Sequence, residues 1–212
     1  MVSHAKEESP RPLNHRERQR EETRQRVLEA ALTIFRRDGV HSCRIEDIAA
    51  LAGVSRGSFY FHFPTKEAVL VEVARLGQLP MLELLEHLPA DASLEKLVDT
   101  VSEALAAQWH ADPEILPHVV TATLQGPFLM EHEDEFMPLR PKLARRLKVA
   151  QEQGELRMNL PSSALADLLL VHLLTAMLIW CKSPSESLPK MMKTSAMIFL
   201  HGVSLKPFNV QL

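Results

Sequence analysis

The stretch "IEDIAALAGVSRGSFYFHFPTKEAVL", residues 45–70, decides the fold. Its first eight residues place apolar side chains at i, i+3, i+4 and i+7, which predicts a helix of only two turns. Gly53 ends that helix, and Ser55 caps a second one that begins at Arg56. Pro64 then requires the second helix to end, because the residue before a proline disfavours the α region. Two short helices joined by "AGVS" are typical of a helix-turn-helix.

The second helix carries the polar groups that contact with DNA requires. A recognition helix enters the major groove with its N-terminal side chains at the base edges, while nearby donors hold phosphates. Arg56, Ser58 and His62 are predicted at the bases, and Gly57 permits close backbone approach. The predicted phosphate contacts are the hydroxyl of Tyr60 and, at the start of the next helix, Lys66.

The rings in this stretch divide between two roles. Phe59 and Phe63, together with Val54, are expected to pin the short helix onto its neighbours in the core. Tyr60 and His62 stand among residues that gain nothing from burial, so both are predicted to face DNA.

Composition extends this interpretation to the whole chain. Of the 212 residues, 46% are hydrophobic and only seven are glycine, and good helix formers dominate, which predicts an all-α protein. Cys43 and Cys181 lack metal-ligand spacing, and no catalytic motif appears, so no metal, cofactor or enzymatic activity is expected. The apolar run at residues 164–180 falls short of a membrane span and the N-terminus lacks a signal segment, which favours a cytoplasmic protein.

Charge divides the chain unevenly. Residues 1–66 hold 12 basic against 9 acidic side chains, whereas residues 67–212 hold 12 against 18. A basic end on an acidic body indicates that the first third meets a polyanion. We therefore expect a mobile arm at residues 1–15, a DNA-binding domain at residues 16–66 with its helix-turn-helix at about 44–63, and a larger helical domain at residues 67–212.

These residues resemble a known family, the TetR family of bacterial transcriptional regulators. The matching positions are Ile48, Ala49, residues 52–55, Gly57, Tyr60, Phe63, Lys66 and Glu67, and "VLEAALTIFRRDGV" upstream is similar to the family's first helix. The resemblance implies a three-helix DNA-binding domain followed by a larger helical domain that binds an inducer and forms a dimer. By position it also implies Ser55, Arg56, Ser58 and His62 at or near base edges, with Tyr60 and Lys66 at phosphates.

One position departs from the family pattern. Arg44 stands where the family usually places the Thr or Ser that caps the second helix and meets a phosphate. Its charge can replace the phosphate contact, but its side chain cannot accept the capping hydrogen bond. Ser42 is the alternative cap.

The last two thirds are predicted to supply a dimer interface. The segment at residues 162–182 is apolar around most of its circumference, so it must be buried on several sides. A four-helix bundle with the partner's copies is favoured over an internal core helix. The predicted interface residues are Leu165, Leu169, Leu173, Met177, Trp180, Met192 and Phe199.

An effector pocket is expected among the middle helices. Methionines adapt to irregular apolar ligands, and a histidine can orient a polar head, although for each residue a plain core role is the alternative. The candidate lining residues are Trp109, His110, His118, Phe128, Met130, Met137, His172 and Met177.

The sequence therefore predicts a dimeric repressor that binds a palindromic operator in double-stranded DNA and is released by a small apolar or amphipathic effector. One alternative is a helix-turn-helix regulator controlled by a protein partner. The other is a helical enzyme with a basic N-terminal domain.

Overall fold

The computed structural model describes residues 14–109, 112–126, 134–184 and 186–204. Within those ranges the chain is helical apart from connecting loops and one isolated bridge between Leu156 and Ser204. The predicted all-α class is confirmed. The helices are α1 (His15–Asp38), α2 (Ile45–Ala52), α3 (Arg56–His62), α4 (Lys66–Gly77), α5 (Leu79–His87), α6 (Leu94–Trp109), α7 (Leu116–Gln125), α8 (Leu139–Glu152), α9 (Ser162–Lys182) and α10 (Leu188–Val203).

The chain divides into two compact units, Met1–Pro64 and Thr65–Leu212, hereafter unit 1 and unit 2. Unit 1 contains α1 to α3, and its boundary lies two residues before the predicted one. Most of the predicted arm, residues 1–13, lies outside the described residues.

Helix α1 begins at a capping box. The Asn14 side chain accepts a hydrogen bond from the Glu17 backbone N–H at 2.9 Å, and the Glu17 carboxylate accepts one from the Asn14 N–H at 2.7 Å. This reciprocal capping box satisfies two backbone donors and starts the helix at His15. The buried stripe of α1 includes Val27 and Phe35, and Gly39 ends the helix with a φ of 81°.

Helices α2 and α3 follow the predicted turn chemistry except at the start of α2. Gly53 adopts a left-handed φ of 67°, and the Ser55 hydroxyl accepts a hydrogen bond from the Ser58 N–H at 3.1 Å. The N-cap position of α2 is Arg44, and no side chain caps this helix. Ser42 therefore does not take the capping role, and the two acidic side chains in the first turn, Glu46 and Asp47, stabilise the helix start through its dipole.

Unit 2 is built around α9, which packs against α7, α8 and α10. Helix α10 also packs on α6, and α4 packs on α7. Pro80 lies in the first turn of α5, where the break between α4 and α5 leaves its missing N–H harmless. By length and composition α9 is the one helix in the described residues that could cross a membrane, with a mean hydropathy of 2.0, and 39% of that window is buried.

The predicted dimer residues are mostly buried within the single chain. Six of the seven are at most 7% exposed within the single chain: Leu165, Leu169, Leu173, Met177, Met192 and Phe199. The seventh, Trp180, is half-buried and donates its indole N–H to the Glu186 carbonyl at 2.9 Å. Because α9 is apolar on all sides, its sequence pattern does not distinguish the side that packs on its own core from a side that packs on a partner.

Candidate DNA-binding surface and ligand cavity

Helix α3 has two opposite faces. Phe59 and Phe63 are at most 1% exposed and form the core side, as predicted. At 100° per residue, Gly57 and Phe61 lie on the far side of the helix, and Phe61 is 65% exposed. Tyr60 stands on the flank, 43% exposed, with its ring edge-on to Phe59. The surface that α3 offers to a partner is therefore centred on Gly57 and Phe61.

The structure corrects the placement of His62. Its side chain is only 9% exposed, and its ring lies edge-on to Phe61 with centroids 5.1 Å apart. Burial, followed by the positive charges of Arg20 and Arg24, lowers the pKa of His62 below its ordinary value. A neutral, buried imidazole does not reach a base edge. At 100° per residue His62 lies on the flank of α3 opposite Tyr60, and its side chain is buried there.

Two arginines of α1 hold the end of α3. Arg24 donates a hydrogen bond to the His62 carbonyl at 2.9 Å, and its guanidinium stands 4.4 Å from the centre of the Phe63 ring. The Arg20 guanidinium stands 5.0 Å from the ring of Phe61. Arg24 thus satisfies a carbonyl that the short helix leaves open, whereas Arg20 places a positive charge beside the exposed ring.

The beginning of α3 presents exposed polar groups. Arg56 forms an ion pair at 2.8 Å with Glu46 of α2, and both side chains are more than half exposed. An exposed pair of this kind contributes little to stability, so its opening costs little when a phosphate or base competes for the guanidinium. Ser55 is exposed and Ser58 is half-buried. The Ser55 hydroxyl oxygen accepts the capping bond, and its hydrogen is left to donate.

Two further predicted contacts belong to other helices. Arg44, at the N-cap position of α2, is exposed in unit 1. Lys66 is half-buried and is the first residue of α4 in unit 2, where the Thr65 hydroxyl accepts a hydrogen bond from the Ala68 N–H at 3.1 Å. Both are cationic side chains beside backbone N–H groups at a helix start, the arrangement that favours anions.

Unit 2 contains an apolar cavity. Its volume is about 40 Å³, or about 450 Å³ when the space open to solvent is counted with it. Helices α4, α6, α7, α8 and α9 contribute its walls. The lining residues are Ala74, Gln78, Leu105, Trp109, Val119, Val120, Thr123, Met137, Leu139, Leu170, Leu173, Leu174 and Met177.

Three of the eight predicted effector residues line this cavity: Trp109, Met137 and Met177. His118 and His172 do not, and the His172 Nδ1–H instead donates to the Leu168 carbonyl at 2.8 Å. The remaining three, His110, Phe128 and Met130, lie outside the described residues. Sequence reasoning missed Gln78 and Thr123, two polar side chains among the lining residues that the structure describes. Within the described ranges, no group of three or more His, Cys, Asp or Glu side chains is placed to hold a metal ion.

The α2–turn–α3 geometry, with its left-handed glycine, capped second helix and exposed polar N-terminus, defines a helix-turn-helix protein. The family model described as "Bacterial regulatory proteins, tetR family" matches residues 27–73. The chain belongs to the TetR family.

Individual relatives extend the match into unit 2. The chain is 34% identical over 144 residues to the HTH-type transcriptional regulator SrpR of Pseudomonas putida, with 66% of each chain covered. It is 39% identical over 85 residues to the regulator TtgW of the same species, covering 40% of this chain and 63% of TtgW. The matches thus span just under two thirds of these relatives' lengths. Among solved structures, Thermus thermophilus FadR in complex with lauroyl-CoA has a TM-score of 0.73 at 24% identity, with 89% of this chain and 99% of FadR covered, which shows the shared fold.

Proposed function

We propose that this protein is a dimeric transcriptional repressor that binds a palindromic operator through α3 and is released from it by a small-molecule effector held in the unit 2 cavity. The observation that carries the proposal is the outward face of α3. This face combines a bare backbone at Gly57 with an exposed ring at Phe61, and Arg56 adds an exposed cation at the N-terminal end of the same helix.

Gly57, Phe61 and Arg56 each suit a different part of duplex DNA. The missing side chain at Gly57 lets the helix backbone approach the groove floor. Phe61 offers an apolar surface to the methyl group of thymine, and Arg56 offers paired donors to guanine. Tyr60, Ser55, Ser58, Arg44 and Lys66 remain as the predicted polar and phosphate contacts. Relative to the sequence interpretation, Phe61 replaces His62.

Dimerisation in this proposal uses the outer faces of α9 and α10. These faces expose large apolar side chains at Leu168, Ile179 and Ile198, which are 41%, 53% and 65% exposed. A shared interface between two copies would remove them from water, and each exposed side chain buried in this way contributes favourably. Paired recognition helices about one DNA turn apart would then read a palindrome.

The cavity favours small-molecule control over control by a protein partner. It is concave, largely apolar and open at one end, as ligand sites in proteins usually are. FadR, which shares the fold, was crystallised with lauroyl-CoA, so a protein of this architecture accommodates a small molecule. Cytoplasmic location follows from the same proposal, because the operator is there.

The test is selection of bound duplexes from a random pool with the purified full-length protein, followed by affinity measurements at several salt concentrations. We expect a palindrome. Phe61→Ala should relax the preference for thymine at one position of each half-site. His62→Gln, the matched control at a buried position of α3, should leave base preferences unchanged. Lys66→Ala should reduce the slope of log affinity against log salt by about 0.9 for each phosphate that is no longer neutralised, or by about 1.8 for a dimer.

Two results would contradict the proposal. Absence of enrichment at low salt from a folded dimer would remove DNA binding. Altered base preference in His62→Gln together with unaltered preference in Phe61→Ala would show that the face of α3 has been assigned wrongly.

A further inference from the structure

The unit 2 cavity contains one buried amide, that of Gln78 at the junction of α4 and α5. This side chain is 5% exposed. Its Oε1 accepts a hydrogen bond from the Leu139 N–H at 3.3 Å, and its Nε2 donates to the Ala74 carbonyl at 3.1 Å. A backbone N–H can only face the amide oxygen and a carbonyl only the amide nitrogen, so these two contacts fix the orientation of the amide.

The second hydrogen on Gln78 Nε2 is poorly bonded. Its nearest acceptors are the Phe136 carbonyl and the Met137 sulfur, each at 3.4 Å. Good N–H···O bonds are about 2.7–3.2 Å long, and a thioether is a weak acceptor. In a low-dielectric interior, a donor shared between one long bond and one weak acceptor gains from a shorter bond to oxygen.

The rest of the lining that the structure describes carries no charged side chain to neutralise an ionised ligand. Its other polar groups are the Thr123 hydroxyl, which already donates to the Val119 carbonyl at 2.8 Å, and the indole N–H of Trp109. An ionised ligand group would lose its water here without gaining an opposite charge, which is strongly unfavourable.

We propose that this cavity selects an uncharged, mainly apolar ligand with a single hydrogen-bond acceptor, which takes the bond from Gln78 Nε2. The inference rests on the proposed function and names the chemical class of its effector. Met137 and Met177 adapt the apolar walls to the body of the ligand, because their side chains bend at low cost.

Isothermal titration calorimetry on the full-length protein tests the proposal with three probes of similar size at neutral pH. Acetophenone carries a carbonyl acceptor, ethylbenzene carries none, and benzoate is an anion. We expect acetophenone to bind at least about fivefold more tightly than ethylbenzene, the typical effect of one net hydrogen bond. Benzoate should bind at least about 30-fold more weakly than acetophenone, because its charge must be desolvated.

Variants assign the effect to the amide. Gln78→Met keeps the length of the side chain and removes its donors, so acetophenone affinity should fall to that of ethylbenzene while ethylbenzene still binds. Retained ethylbenzene binding shows that the cavity is intact. Thr123→Val is the matched change at a second polar lining residue. It should preserve the ratio of the acetophenone and ethylbenzene affinities. Val120→Phe should fill the cavity and abolish binding of both probes while the protein still melts cooperatively.

Four outcomes would overturn the proposal: equal affinity for acetophenone and ethylbenzene, tightest binding of benzoate, binding of none of the probes, or unaltered binding to Val120→Phe. All of these titrations are made without DNA. Failure to select an operator would therefore refute the regulator function while leaving the ligand class standing, and failure of the probes would do the reverse.

Discussion

Arg24 is expected to determine whether α3 is folded at all. A seven-residue helix is far too short to be stable alone, so its order must come from docking. Arg24→Met keeps much of the apolar stem but removes the hydrogen bond to the His62 carbonyl and the interaction with the Phe63 ring. A charged, part-buried hydrogen bond and a close cation–π contact together contribute about 2–4 kcal/mol.

The assay uses Tyr60, the only tyrosine in the chain. Incorporation of 3-fluorotyrosine gives one ¹⁹F resonance, on α3 itself, which can be followed through a urea titration. With a slope of about 1 kcal/mol per molar urea for a domain this small, Arg24→Met should lower the midpoint of unit 1 by about 2 M or more.

Arg20→Met is the matched control, because Arg20 lies on the same helix and contacts the exposed ring of Phe61, at 5.0 Å, instead of a core ring. That contact is worth about 0.5–1 kcal/mol, so the midpoint should move by well under 1 M for the same slope. Equal shifts of the urea midpoint in the two variants, or a shift in Arg24→Met below about 0.5 M, would refute the argument that Arg24 stabilises the docking of α3.

Three further predictions follow from individual contacts. The pKa of His62 is lowered in the folded state, so the unfolded chain binds the proton first as the pH falls. Unit 1 should therefore lose stability below about pH 6.5. Urea titrations at several pH values should show a flatter dependence for His62→Gln. Gly53→Ala places a side chain at a φ of 67° and should destabilise unit 1 by about 1 kcal/mol. Gly57→Ala, whose new Cβ meets only Ser55 Oγ at 3.7 Å, should raise the stability of unit 1 yet weaken DNA binding. The opposite order of melting temperatures would contradict the two stability predictions. Ile198→Lys should shift the protein toward monomer in analytical ultracentrifugation, whereas Leu84→Lys, an exposed site on α5, should not.

The sequence predicted the fold well wherever a local rule acted alone. Gly53, Ser55 and Thr65 occupy the stop and cap positions that their chemistry favours, because these interactions span only three or four residues. The start of α2 was less predictable, since Arg44 offers no capping acceptor and the structure supplies none from elsewhere. Gln78 was missed because three of its four partners lie 58 to 61 residues further along the chain, and only the folded unit brings them together.

Positions 61 and 62 show that the polarity of a residue does not by itself predict whether its side chain lies outward on α3. Within α3, His62 and Tyr60 fall on the two flanks at 100° per residue, while Phe59 and Phe63 form the core side. Phe61 stands two residues from each and therefore projects outward, although it is the more apolar of the pair. Phe61 therefore leaves an apolar ring on the outward face of α3, beside the Arg20 guanidinium. An apolar ring with a cation beside it matches the thymine methyl groups and the phosphates that line a major groove.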